Sequence, residues 1–132
     1  MPWLSILAVA GGAAAGALCR WGLSNWLNPV FPTVPLGTLA ANLAGGLLVG
    51  VLVEGFGRLG NVPMELRLML VTGFLGALTT FSSFSAEMVF AMRQGHYLWA
   101  VAGMAAHLLG SLLMTALGMA ITFWLMTGRA PT

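Results

Sequence analysis

The sequence predicts an all-α membrane protein of four transmembrane helices, and three observations carry that expectation. Of its 132 residues, 59% are apolar and only 6% charged, against roughly a quarter charged in an ordinary soluble domain. The apolar residues fall into four stretches, each at least as long as the ~20 residues a helix needs to cross a hydrocarbon core of about 30 Å. Turn-forming residues separate these stretches and leave no room for a soluble domain or a linker, so residues 1–132 read as a single membrane unit.

The first span is expected over Leu4–Leu27. Met1 to Cys19 carries no basic side chain and the apolar run continues to full membrane length. A cleaved signal peptide opens with positive residues ahead of a short apolar core, so this segment reads as a retained helix. Gly12 and Gly16 form a G-x-x-x-G pair on it. Asn28-Pro29 through Pro35, with three prolines, closes the first hairpin. The second span is expected over Val34–Phe56, with no ionisable side chain from Val34 to Val53 and a second pair at Gly46 and Gly50, Gly45 alongside. Small residues at this spacing let helix backbones approach closely in lipid, which implies a compact bundle and says nothing about a substrate. Gly55 to Pro63, with three glycines, closes the second hairpin. The third span is expected over Leu66–Met92, free of ionisable groups from Leu68 to Ala86; Gln94-Gly95 turns the chain into the fourth, Leu98–Met126, whose one histidine is His107. Four thin helices enclose little interior of their own, so oligomerisation is expected.

Charge excludes some partners and leaves orientation open. The basic residues are five arginines (Arg20, Arg58, Arg67, Arg93, Arg129), the acids are Glu54, Glu65 and Glu87, and the formal net charge is +2. So thin a charge makes no nucleic-acid footprint. A lone cysteine, Cys19, allows neither an internal disulfide nor a multi-cysteine metal cluster. With the N-terminus inside, Arg58, Arg67 and Arg129 lie on one side and Arg20 and Arg93 on the other. A bias of one arginine barely selects an orientation. Either the chain inserts one way through other signals, or it inserts both ways and pairs antiparallel.

Polar side chains inside the spans are costly unless they face protein or water. Thr38 and Asn42 share a face of the second span, and His107, Ser111 and Thr115 repeat every four residues along the fourth. Interhelical hydrogen bonds, worth about 0.6 kcal/mol each in membranes, account for any one of these; together with Asn42 the stripe reads as a water or ion path. In the third span, Gly73-Phe-Leu-Gly-Ala-Leu-Thr-Thr-Phe-Ser-Ser-Phe84 sets two glycines and then Thr79, Thr80, Ser82 and Ser83 at the expected bilayer midplane. Such a run weakens a regular helix. A broken helix whose freed carbonyls bind a cation is one reading; a kinked helix with hydroxyls bonded to the preceding turn is the other.

The segment Gly73–Phe84, GFLGALTTFSSF, resembles the signature of the Fluc (CrcB) fluoride channel family. Gly37-Thr38 with Asn42 and Gly45 resembles its second-helix motif, and Gly11-Gly12 through Gly16 and Arg20 its first. The resemblance runs through the whole chain in length, helix count and motif order. It implies an antiparallel dual-topology homodimer of four-helix subunits in a bacterial inner membrane. Such a dimer passes fluoride passively through two pores and expels the toxic anion. It further implies broken third helices crossing at the dimer centre around a structural sodium ion held by the backbone carbonyls of Gly76 and Thr79. Phe81 and Phe84 match the family's fluoride-facing rings and Asn42 its pore-lining amide. Ser83 and Thr80 match its hydroxyl track, and Glu87 an acidic residue one turn beyond. Ser111, Thr115 and His107 match a looser fourth-helix pattern, Thr38 accompanies Asn42, and Arg20 is placed near a vestibule or in an ion pair.

The chemistry is coherent without the family. Fluoride is small and strongly hydrated, so a pore must replace water with donors, here the Asn42 amide and the hydroxyls of Ser83, Ser111 and Thr115. Aromatic ring edges are electropositive, which suits Phe81 and Phe84 to an anion, although their spacing fits core packing equally. A small dual-topology multidrug/proton exchanger needs a carboxylate in a membrane cavity, for which only Glu87 is available. A structural subunit leaves Asn42 and the Ser/Thr run unexplained, and no nucleophile, base and orienting acid form an enzyme motif.

Overall fold

The computed structural model describes residues 1–129. Helix α1 (Pro2–Leu27) starts with proline in its first turn and runs into a 3-10 turn at Asn28–Val30. Helix α2 spans Leu36–Leu59 and helix α6 spans Tyr97–Thr127. Between them lie α3 (Met64–Arg67), a π-helical stretch Leu68–Leu75, α4 (Gly76–Leu78) and α5 (Phe81–Arg93). Four segments, Pro2–Val30, Leu36–Leu59, Met64–Arg93 and Tyr97–Thr127, are long and apolar enough to cross a membrane. The 24 residues of α2 alone reach about 36 Å at 1.5 Å per residue.

The expected second hairpin is shorter than its glycines suggested. Helix α2 continues through Gly55 and Gly57 to Leu59, and only Gly60, at φ 70°, takes a conformation that favours glycine. The added turn is supported by Arg58, which donates to Glu54 Oε1 at 2.6 Å and lies 4.3 Å from the centre of the Phe123 ring. Start of α2 has a different solution. Pro35 precedes it without a capping side chain, and Asn28 Oδ1, from the end of the first span, accepts from Gly37 N–H at 2.8 Å.

Packing follows the small residues. Helix α1 lies along the π-helical stretch and α4, α2 along α6, and α5 returns to α6. A Cβ on Gly12 would strike the Met69 carbonyl, one on Gly16 the Phe74 carbonyl, and one on Gly73 the backbone of Val9 and Ala13. On the other side a Cβ on Gly50 would strike the Thr115 carbonyl and one on Gly118 the Leu47 carbonyl. Backbones therefore meet directly, as lipid-embedded helices require when van der Waals contact replaces the hydrophobic drive. The buried centre is small: Ala41, Leu75 and Leu78, flanked by Leu23, Val49, Leu52 and Phe74.

The π-helical stretch was not foreseen. Within it Gly73 packs onto the α1 backbone at Val9, Gly12 and Ala13, and no hydropathy pattern distinguishes the stretch from an ordinary helix. Beyond α4, Thr79 (φ −82°, ψ 154°) and Thr80 (φ −153°, ψ 117°) are extended before α5 begins. Both hydroxyls act locally: Thr79 Oγ1 donates to the Leu75 carbonyl at 2.9 Å, and Thr80 Oγ1 caps α5 by accepting from Ser83 N–H at 3.1 Å.

Candidate functional site in an interhelical groove

Asn42 lies on the face of α2 turned towards Thr80. Its Oδ1 accepts from Thr80 N–H at 2.7 Å and its Nδ2 donates to the Thr80 carbonyl at 3.0 Å. The same Nδ2 lies 3.0 Å from His107 Nδ1 on α6. One amide thus ties three spans together. It also diverts the Thr80 N–H from the Gly76 carbonyl, the acceptor four residues earlier that a continuous helix would use.

Around Asn42 opens a groove of about 450 Å³ between α2, the third span and α6. It brings together Gly76, Thr79, Thr80, Phe81, Phe84, His107, Ser111 and Thr115. Phe81 is 78% exposed, which core packing within one chain does not explain. Phe81 meets Phe84 edge to face, centroids 5.3 Å apart and planes at 74°, and Phe84 lies 4.4 Å from the His107 ring. The three rings form a ladder from the third span to α6, and Thr79, Thr80, Ser111 and Thr115 line the same groove. Among the described residues no arginine or carboxylate lines the groove.

Several expected site residues have other tasks. The Asn42 amide is fully engaged within the chain, so it is not the free donor that its polarity implied. Thr115 Oγ1 sits 3.0 Å from both the Gly46 and Ser111 carbonyls, where its single proton serves helix packing. Thr38 and Glu87 lie outside the groove and pair with each other, Thr38 Oγ1 donating to Glu87 Oε1 at 2.6 Å. Arg20 is not in the ion pair offered as one of its two places: its Nε donates at 2.9 Å to the Ala77 carbonyl, near the end of α4, where helix carbonyls lack partners. Ser83 does not line the groove. Among the described residues the hydroxyls of Ser83 and Ser111 make no hydrogen bond within the chain, and no three His, Cys, Asp or Glu side chains group to hold a metal ion. Gly45, Gly46 and Val49 complete the α2 wall; their helical spacing from Asn42 was the available signal.

Fold and site together define a membrane-spanning four-helix protein with an uncharged groove of rings, hydroxyls and amide. The chain belongs to the family described as CrcB-like protein, Camphor Resistance (CrcB), which it matches over residues 7–119. It is 54% identical over 116 residues to the protein named fluoride-specific ion channel FluC of Tolumonas auensis, covering 88% of this chain and 91% of that one. A protein of the same name from Chromohalobacter salexigens is 53% identical over 89% of each chain. Another, from Pseudomonas putida, is 51% identical over 95% of this chain and 98% of its own. The chain is thus a multi-pass membrane protein of this family.

Proposed function

We propose that the chain is a fluoride-specific ion channel that passes the anion passively out of a bacterial cell through the inner membrane. It is a conductor and not an enzyme. The observation that carries the reading is identity above half, over nearly the whole chain, to relatives that bear this name. Hydrogen fluoride crosses lipid and dissociates in a less acidic cytoplasm; a passive path for the anion relieves the accumulation. The groove's chemistry supports this. Phe81 and Phe84 can present electropositive ring edges, and the unengaged Ser111 hydroxyl in the groove wall can donate to fluoride. A wall without full charges lets the ion leave as well as enter.

The working unit is an antiparallel dual-topology homodimer with two pores. Exposure of Ser82, Ser85 and Phe81 on one face of α5 supports it, because hydroxyls at membrane depth need protein or water beside them. The arginine bias of three against two supports insertion both ways. At the interruption, the Gly76 and Thr79 carbonyls lack the helical N–H partners that Thr80 and Ser83 give instead to Asn42 and Thr80 Oγ1. Neutral carbonyl oxygens fit a hard monovalent cation such as sodium. When bound, sodium would satisfy these freed acceptors and join two subunits; the chain's own residues form the anion path. A proton-coupled drug exchanger is not favoured, because Glu87 is engaged by Thr38 away from the groove.

Purified protein in liposomes loaded with fluoride should release it on addition of a potassium ionophore, and chloride-loaded liposomes should not release theirs. Equal chloride efflux, or efflux strictly coupled to protons, would overturn the reading. Single cysteines placed in the loops of a Cys19→Ser background should label from both sides of the membrane; labelling from one side only would end the dual-topology proposal.

A further inference from the structure

The two nitrogens of His107 have different surroundings. His107 is 4% exposed, its ring stacked on Phe84 at 4.4 Å and 31°. The orientation of the Asn42 amide follows from the backbone: Thr80 N–H can only donate, so the atom 2.7 Å from it is the amide oxygen. Nδ2 then faces the Thr80 carbonyl and His107 Nδ1. An amide nitrogen donates and does not accept. His107 Nδ1 is therefore the acceptor, and the ring proton sits on Nε2, which is buried without a partner among the described residues. An imidazolium would set a second N–H against that of Asn42. Glu87 on α5 and Arg20 on α1 are engaged elsewhere, with Thr38 and with the Ala77 carbonyl.

We propose that His107 is the positioning residue of Asn42, acting as the neutral imidazole with its proton on Nε2. Nδ1 holds the amide against Thr80 and so holds the shape of the groove where the third span is interrupted. This deepens the fluoride-channel reading, and only the flux measurement rests on that reading.

Nitrogen NMR of wild-type protein labelled at histidine, in liposomes at neutral pH, reads the ring directly. The chain has two histidines, and His96→Ala assigns the signals. His107 should show a protonated Nε2 and a bare Nδ1; a protonated Nδ1, alone or with Nε2, would overturn the proposal. Three variants separate positioning from direct contact with the ion. His107→Asn can place its amide oxygen where Nδ1 accepts, His107→Gln places its amide near Nε2, and His107→Leu offers neither. Leu and Gln should lose about tenfold in fluoride efflux, the scale of one buried hydrogen bond, while Asn stays within about twofold of wild type. Rescue by Gln and not by Asn, or wild-type efflux from the Leu variant, would refute the positioning role. If wild-type protein itself passes no fluoride, the channel reading fails and the spectrum alone decides the role of His107.

Discussion

Asn42→Leu removes a side chain of similar volume and three polar contacts at once, at 2.7, 3.0 and 3.0 Å. At about 0.6 kcal/mol per interhelical bond in a membrane, the loss is about 2 kcal/mol. A dry site would add about 1–3 kcal/mol for each Thr80 backbone group left unpaired. Thr80 is only half-buried beside an open groove, so water can reach it and the smaller figure should hold. A loss of that size leaves a bundle folded. The effect on transport should be larger, because Thr80 and His107 both take their places from this amide: fluoride efflux from liposomes should fall by more than about tenfold. Asn42→Asp retains an oxygen for Thr80 N–H and loses both donors. Its second oxygen then faces two acceptors, the Thr80 carbonyl and His107 Nδ1, so the variant should melt no higher than the leucine variant in detergent and conduct no better. Wild-type efflux from a folded Asn42→Leu protein would reduce Asn42 to packing and refute the argument.

Phe81→Ile or Phe84→Ile should cut fluoride efflux while leaving a folded protein, since isoleucine fills space without an electropositive ring edge; normal efflux in both would remove the ring argument. Gly12→Ala and Gly50→Ala should each destabilise by about 1–3 kcal/mol, because the new methyl group meets a backbone carbonyl. Gly11→Ala, with nothing within 4 Å, should be neutral or slightly stabilising, so three equal melting temperatures would contradict the packing described. Removing sodium from both sides of the membrane should lower both dimer stability and current; no change in either would argue against a cation at Gly76 and Thr79.

The membrane class, the four spans and their approximate ends were legible in the chain because hydropathy and charge are properties of each residue counted along it. Excluding arginine and glutamate from Val34–Val53 or Leu68–Ala86 has one physical cause, the cost of charge in hydrocarbon. The Gly12–Gly16 and Gly46–Gly50 pairs were legible for a similar reason, since close approach leaves a fixed spacing. The shared faces of Asn42 and of the His107–Ser111–Thr115 stripe followed from helical period, whereas Phe81 and Phe84 were expected at the site only through the resemblance of Gly73–Phe84 to the family signature; all six line the groove. Partners were not legible. Asn42 meets Thr80 across 38 positions and His107 across 65, and Arg20 reaches Ala77 across 57. Nothing in local pattern says which of several polar groups will satisfy which. That choice belongs to the packed bundle, where backbone groups freed at Thr79 and Thr80 must find hydrogen bonds that lipid cannot supply. The π-helical turn of Leu68–Leu75, packed against α1 through Gly12, Gly16 and Gly73, likewise leaves no mark in the local pattern.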